Sequence, residues 1–337
     1  MAKLAAIIKD AGFDAYAIMP AAPLTGMLPI LKEAQKEGRY PAFVEKDINK
    51  RIDPAALQKS AQSIISLAVS YYTKDPGPTP PLHGVVSRYA WGLDYHRVLH
   101  TRMDLVIAAL QKHFSAKECT KAVDTTFLVD RAIAIESGLG FPGANCAVYV
   151  PPFGSWVFLG AILVDVKLPV TGNGHNWAKP VECAACVKAC PTNALFAPGK
   201  IDPGRCISHL TQMPGPIPLE LREKLGSRLW GCDTCQQASL KNRRAQKSPH
   251  QEFQPIKGPH IPLLPLLSLT NREFKKEFGS TAMAWRGKNT LQRNACIVLG
   301  NQKNPQALPT LKEVALNHPS ETVREAARWA VDKINSP

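Results

Sequence analysis

Apolar residues along the 337-residue chain recur at two spacings. Leu4, Ile7 and Ile8 share one helical face near the start. Between Tyr95 and His113 the same spacing is sustained by Leu99, Met103, Val106, Ile107 and Leu110, which predicts an amphipathic helix. Short continuous apolar runs predict buried strands at Ile64–Val69 (IISLAV), Ala147–Val150 and Trp156–Val164, the last two joined through Pro151–Ser155. Asp75–Leu82 (DPGPTPPL) is proline punctuation, a linker or surface loop. Residues 1–75 therefore read as a small α/β part and 76–170 as a mixed core. Residues 171–250 are loops rich in Gly and Pro, which a bound metal would have to stabilise.

From residue 271 the pattern turns helical. Arg293-Asn-Ala-Cys and Arg324-Glu-Ala-Ala lie 31 residues apart, each expected to open a similar helix, with Leu308–Leu316 between them. That is a short helical-hairpin repeat of the HEAT kind, about one and a half units long. A composition of 45% hydrophobic and 20% charged residues is that of a folded protein, long enough for two or three domains. Lys9 and Asp10 break the apolar stretch Leu4–Ile8, so no secretory signal is read and a cytoplasmic location is expected. Ile261–Leu269 contains Pro262 and Pro265 and falls far short of the ~18 apolar residues of a membrane span.

The net charge is +14 and unevenly spread: 18 basic against 15 acidic side chains over 1–175, but 23 against 12 over 176–337. A polyanionic partner is therefore expected mainly on the second half. Basic residues cluster in Lys241–Lys247 (KNRRAQK) and Arg272–Lys288, the latter with Trp285 among them. Read alone, such runs are solvated faces.

Six of the nine cysteines fall within residues 183–235. Cys183-Ala-Ala-Cys186-Val-Lys-Ala-Cys190-Pro191 matches the last three cysteines of the bacterial ferredoxin run C-x₂-C-x₂-C-x₃-C-P. Two zinc knuckles pairing Cys183/Cys186 with Cys232/Cys235 are the alternative, but they leave Cys190-Pro191 and Cys206 without a purpose. In two-cluster ferredoxins the fourth cysteine of one run serves the other cluster. Applied here, Cys190 joins Cys206, Cys232 and Cys235 in one complete set. A second set would need positions 180, 183, 186 and 239, and two of these are Pro180 and Ser239. One [4Fe–4S] cluster is thus expected, with Cys183 and Cys186 as metal ligands only if Ser239 or His175 assists. Cys119, Cys146 and Cys296 stand alone and read as buried thiols.

Further motifs follow in order: Ser87-Arg-Tyr-Ala-Trp-Gly-Leu-Asp-Tyr-His96, Asp124-Thr-Thr-Phe, Gly138-Leu-Gly-Phe-Pro-Gly-Ala-Asn145 and Gly154-Ser-Trp-Val-Phe-Leu-Gly160. Arg205-Cys-Ile-Ser-His-Leu-Thr211, Gly231-Cys-Asp-Thr-Cys-Gln236 and the C-terminal helical repeat complete the series. Over most of its length the chain resembles the epoxyqueuosine reductases. The resemblance implies an α+β fold: an N-terminal α/β part of the catalytic region over 1–75, a nitroreductase-like cobalamin-binding core over 76–170, a ferredoxin-like iron–sulfur insert over 171–250 and a HEAT-like helical domain over 251–337. It also implies cobalamin and [4Fe–4S] cofactors, a monomer, and a flavodoxin, ferredoxin or flavin reductase as electron donor. The implied reaction converts epoxyqueuosine to queuosine at the wobble position of tRNA, and the HEAT-like end and the basic runs are the implied tRNA contacts.

Asp124 matches the family's proton donor; alone, an Asp before Thr-Thr reads as a helix cap. Opening an epoxide leaves an alkoxide, so the chemistry asks for a general acid. Arg51, Tyr95, His96, Gly143, Asn145, Ser208 and Gln212 lie in matching segments and are expected to touch the corrin or the substrate. Gly138-x-Gly140-x-x-Gly143 formally matches a dinucleotide fingerprint, but it follows a helical stretch, Leu128–Ser137, and contains Pro142. The resemblance makes it a glycine loop approaching the corrin instead. Departures from the family are Pro180, Ser239, Leu240 in place of a proline, and Thr126-Phe127 in place of Ala-Pro. Two other functions fit the same residues: a corrinoid reductase of another substrate, or a non-catalytic cluster- or zinc-binding RNA module.

Overall fold

Ser63–Ser70, the strand expected from the run IISLAV, is buried at all eight residues in the computed structural model. That model describes every residue except Met1, Ala42, Phe43, Lys74, Pro76, 176–179, Glu182 and Pro337, so Pro76 of the proline-rich connection lies outside the described residues. The strand is central in a four-stranded antiparallel sheet, ordered Ala15–Pro20, Ser63–Ser70, Val157–Val164, Cys119–Ala122.

Alternation along the strand separates two cores. Ile65, Leu67 and Val69 pack with Leu4 and Ile8 of the helix Ala2–Asp10 and with Leu99, Met103, Val106 and Leu110 of the helix Tyr95–Phe114. Ile64 and Ala68 point the other way, toward Leu31, Ile52, Ile133 and Ile135. Helices on both faces explain why the strand is apolar throughout. The Tyr95–Phe114 helix runs as the periodicity predicts; Asp94 caps it by accepting from the backbone N–H of His96, and Ser115 ends it at φ 59°.

Of the other two expected strands, Val157–Val164 joins the main sheet, while only Val148–Tyr149 is extended in the earlier run. It pairs with Phe141–Pro142 in a separate ribbon. Gly140 permits that ribbon, because a Cβ there would lie 2.6 Å from Val148 Cγ1 and 2.7 Å from the Tyr149 carbonyl oxygen.

A second sheet places His83–Val86 between Arg228–Trp230, parallel, and His260–Pro262, antiparallel. Segments expected as separate units thereby share one sheet and one core, in which Val86 and Trp91 pack with Leu229, Trp230, Leu263, Leu291 and Ala326. The C-terminal helices are Lys288–Gln302, Leu308–Asn317 and Glu321–Asn335.

Arg293 does not open its helix as expected but sits buried in the middle. Its guanidinium donates to the carbonyls of Met213 (2.7 Å) and Leu210 (2.9 Å), while Asn294 donates to those of Thr211 (2.8 Å) and Leu229 (2.9 Å). Polarity facing these carbonyls, which helical spacing does not register, pulls the helix inward there. Cys296 is buried as expected; Cys119, at the start of the outermost strand, and Cys146, at a turn with φ 62°, are only partly so. Among the described residues no helix is long and apolar enough to cross a membrane.

Candidate active site and thiol cage

Cys190, Cys206, Cys232 and Cys235 line a single cavity, walled by Leu195, Ile201 and Ile207 among others. Their chain segments are short and turn-rich. Cys190 follows the helix Ala184–Lys188, Cys206 precedes the helix Ile207–Leu210, and Cys232 and Cys235 flank Asp233 at the start of the helix Thr234–Ala238. Gly231 makes the last turn possible with φ 69°, where a Cβ would fall 2.5 Å from that of Ser87.

Burial pushes the Cys206 thiol up to about 11, with Cys232 and Cys190 adding to it. Burial and then the neighbouring Cys232 and Cys206 push Cys235 well up. Burial also opposes ionisation of Cys190, but hydrogen bonds from the Leu195 backbone and from Thr192 outweigh it and bring that thiol below its ordinary value. Thiols that resist ionising because they are buried, and next because they crowd one another, become thiolates more readily with a cation among them. Among the described residues no three His, Cys, Asp or Glu side chains converge on a point suited to a single metal ion. The four cysteines line one space, an arrangement that suits a cubane.

Cys183 and Cys186, expected as further metal ligands, are bonded to each other as a disulfide. Without a thiolate, neither ligates metal in this state. Of the two proposed helpers, Ser239 lies beside the pair, its Oγ 3.9 Å from Cys183 Sγ, whereas His175 is engaged elsewhere. The Ser239 hydroxyl accepts from the Tyr149 phenol at 2.8 Å, and His175 binds the Ile135 carbonyl through its backbone while its ring lies edge-on to Phe141.

Asp124 follows the outermost strand with a left-handed φ of 47°. Its carboxyl accepts from the Tyr95 hydroxyl at 2.7 Å and lies 3.9 Å from His96 Nε2. Tyr95 is fixed between the Phe158 ring, 4.4 Å away and nearly parallel, and the His96 ring at 4.0 Å. His96 is in turn held by Asp94 at 2.8 Å. The Asp124 side chain is 68% exposed, so the acid is anchored at one oxygen and open to a ligand at the rest.

Asp124 caps no helix. The next helix, Asp130–Glu136, has Val129 at its N-cap. Asp130 Oδ2 accepts from the Asp124 backbone N–H at 2.8 Å, which holds the left-handed turn. Burial, and then the Asp124 charge, raise Asp130 to about 7, and its Oδ1 is buried without a partner. No motif marked Asp130; the available signal was an acid opening a helix six residues after Asp124. Arg51 braces the same loop, donating to the Phe127 carbonyl at 3.3 Å and the Tyr40 hydroxyl at 3.0 Å.

Tyr89, which carried no separate expectation, links the acid to the thiols. Its ring stands edge-on to Tyr95, and burial, then Asp233, then Asp124 push its hydroxyl far up. Asp233, between two cage cysteines, accepts from the Ser87 hydroxyl and from the Arg88 backbone N–H (2.8 Å). The Arg88 guanidinium lies 5.0 Å from the Trp156 ring and 5.3 Å from that of Trp91, which keeps this buried charge among aromatic faces.

The remaining expected residues fall on the cage side. Asn145 is buried, with its amide nitrogen in no conventional hydrogen bond and placed to favour the ionised form of Cys235. Gly143 lies under Tyr149, whose Cε2 would be 2.2 Å from a Cβ there. Ser208 and Gln212 bond each other beside Cys206, through Gln212 Nε2 and the Ser208 carbonyl at 2.9 Å. Gln212 also accepts from the indole of Trp285 at 3.3 Å; that indole is 53% exposed, and the Arg286 guanidinium lies 3.7 Å from its ring centre.

A four-thiol donor set lining one cavity is the equipment of an iron–sulfur protein. Residues 51–125 match the family model for epoxyqueuosine reductase QueG, 179–238 a 4Fe-4S double cluster binding domain, and 287–337 HEAT repeats. The epoxyqueuosine reductase of Bacillus subtilis is 37% identical over 98% of this chain and 86% of its own length, and that of Escherichia coli is 31% identical over 88% and 82%. An epoxyqueuosine reductase solved with an epoxyqueuosine-modified tRNA stem loop superposes with a TM-score of 0.92 at 35% identity, over all of this chain and 90% of that one. The Streptococcus thermophilus enzyme superposes at 0.89 with 32% identity, over all of this chain and 90% of its own. The chain belongs to the epoxyqueuosine reductase family.

Proposed function

We infer that this protein reduces epoxyqueuosine to queuosine in tRNA, with Asp124 giving the proton to the oxygen released as the epoxide opens. The observation that carries this reading is the exposed Asp124 carboxyl, held by Tyr95 at 2.7 Å in a chain of this family. The four thiols of Cys190, Cys206, Cys232 and Cys235 suit one [4Fe–4S] cluster in number and kind. Cobalamin is the second cofactor proposed. Tyr95 and His96 present rings and polar atoms beside Asp124. Arg51, Tyr95, His96, Gly143, Asn145, Ser208 and Gln212 are the proposed contacts of the corrin or the substrate. When bound, cobalamin and the cluster supply the reducing equivalents.

The protein's own part is positional. Tyr95 orients the carboxyl of Asp124, Asp130 fixes its backbone, and Arg51 braces the loop beyond it. A relative from Bacillus subtilis has been solved with its catalytic aspartate loop swung out of the active site, which supports reading this loop as one that moves. The main sheet with helices on both faces supports a nitroreductase-like core, and the cysteine loops support a ferredoxin-like insert. The basic C-terminal half is the proposed tRNA surface, a flavodoxin, ferredoxin or flavin reductase the electron donor, and the cytoplasm the location of a monomeric enzyme.

The test is anaerobic reconstitution followed by turnover of epoxyqueuosine-modified tRNA. About four irons and one cobalamin per chain are expected. Asp124→Ala should keep both and lose turnover, because a general acid contributes ~10²–10⁴ in rate. Full turnover in that variant would remove the assignment.

A further inference from the structure

The cysteine-rich region matches a double-cluster domain, yet the residues of the second site do not fit a cluster. Pro180 has no donor atom, and its ring lies against Gly199, where a Cβ would come within 3.0 Å of it. The Ser239 hydroxyl, 3.9 Å from Cys183 Sγ, accepts from the Tyr149 phenol at 2.8 Å and offers a neutral alcohol where a cluster takes a thiolate. The two cysteines left over are not stranded. Their Cα atoms are 5.5 Å apart and their sulfurs are bonded, in a small apolar nest of Ala144, Ala185 and the cage ligand Cys235.

We propose that Cys183 and Cys186 form a redox-active dithiol–disulfide site in place of the second cluster, turned over by exchange with a dithiol reductant. The proposal rests on the one-cluster reading above. The two residues are unequally placed: Cys183 is 9% exposed and Cys186 fully buried. Attack therefore falls on Cys183. A thiolate of the reductant bonds to Cys183 Sγ, the bond between the two cysteines breaks, and Cys186 leaves with the electron pair and takes a proton. The reductant's second thiol then displaces Cys183, which leaves as a thiol. The protein gains two electrons and two protons, and the reductant's dithiol becomes a disulfide. A two-electron couple thus stands beside a one-electron cluster, where a double-cluster protein has two one-electron centres.

The experiment uses the anaerobically purified holoprotein, equilibrated in buffers of reduced and oxidised dithiothreitol, quenched in acid, alkylated and digested. Trypsin cuts after Lys188, so the peptide carrying Cys183 and Cys186 separates from Cys190. Expected is a reversible change from no alkyl groups to two on that peptide. The reduced-to-oxidised ratio should change tenfold for each tenfold change in the dithiothreitol ratio, with iron constant at about four per chain. In Cys183→Ser, Cys186 should be alkylated at every ratio. About eight irons per chain, or a pair that stays alkylated twice at every ratio, would overturn the proposal. Loss of the one-cluster reading would show separately, as iron near zero whatever the pair does.

Discussion

Asp130→Asn isolates what an ionisable group beneath the Asp124 loop does to the protein. In the folded chain Asp130 titrates near 7 against an ordinary 3.8, because it is buried and faces the Asp124 charge. A folded-state value above the unfolded one means that stability is fully present below about pH 4 and lost as pH rises through about 7. At about 1.36 kcal/mol per unit, the full shift corresponds to roughly 4 kcal/mol at pH 8, a ceiling that local relaxation lowers to about 1–2 kcal/mol. Asparagine cannot ionise, yet its side-chain oxygen can still accept the 2.8 Å hydrogen bond from the Asp124 backbone N–H. The variant should therefore melt above the parent at pH 8, with the gap closing toward pH 5. Anaerobic thermal unfolding of cluster-loaded protein across that range is the assay. A gap that does not change with pH would refute the argument. Asp130→Ala, which removes the acceptor as well, should release the left-handed turn. A lost hydrogen bond to a charged group is worth about 1.5–3 kcal/mol, so kcat/KM should fall roughly 10–100-fold.

Trp285→Ala should weaken binding of a tRNA stem loop about 5–150-fold, since stacking on an aromatic side chain is worth about 1–3 kcal/mol per base. The salt dependence should stay unchanged, because no phosphate contact is removed; fluorescence anisotropy at several salt concentrations measures both. Gly92→Ala should abolish folding, because its Cβ would lie 2.3 Å from the Glu252 carbonyl oxygen and 2.5 Å from Phe253 Cα, both backbone. Gly160→Ala would meet mainly the flexible end of Met103, 2.4 Å away, and should cost about 1–3 kcal/mol. Soluble yield and melting temperature distinguish the two.

The parts of the site readable from sequence are those whose chemistry is written in local spacing. Cysteines two and three residues apart announce a multi-thiol site, and the register of Pro180 and Ser239 announces that one ligand set is broken. The helix from Tyr95 was legible because its apolar face repeats over several turns. Asp130 and Tyr89 were not, since their roles come from meeting Asp124 and Asp233 in space, and neither residue type at its position differs from an ordinary helix start or core tyrosine. The ribbon partner of Val148–Tyr149 escaped for a related reason: an apolar run records burial but not which strand it pairs with. Arg293 was misplaced because its buried partners are carbonyl groups, which carry no side-chain signature.

The small sheet centred on His83–Val86 has a consequence for how this protein can be inherited. Its two outer strands come from either side of the C-terminal boundary, and the helix behind them supplies donors to the carbonyls of Leu210, Thr211 and Leu229. A chain cut after residue 250 would lose more than its last helices. It would bare Leu229 and Trp230 and leave those carbonyls unanswered directly behind two of the cage cysteines. The C-terminal helical end is therefore not a module that can be traded for another by recombination. A lineage that altered it would have to rebuild the wall of its own metal site at the same time.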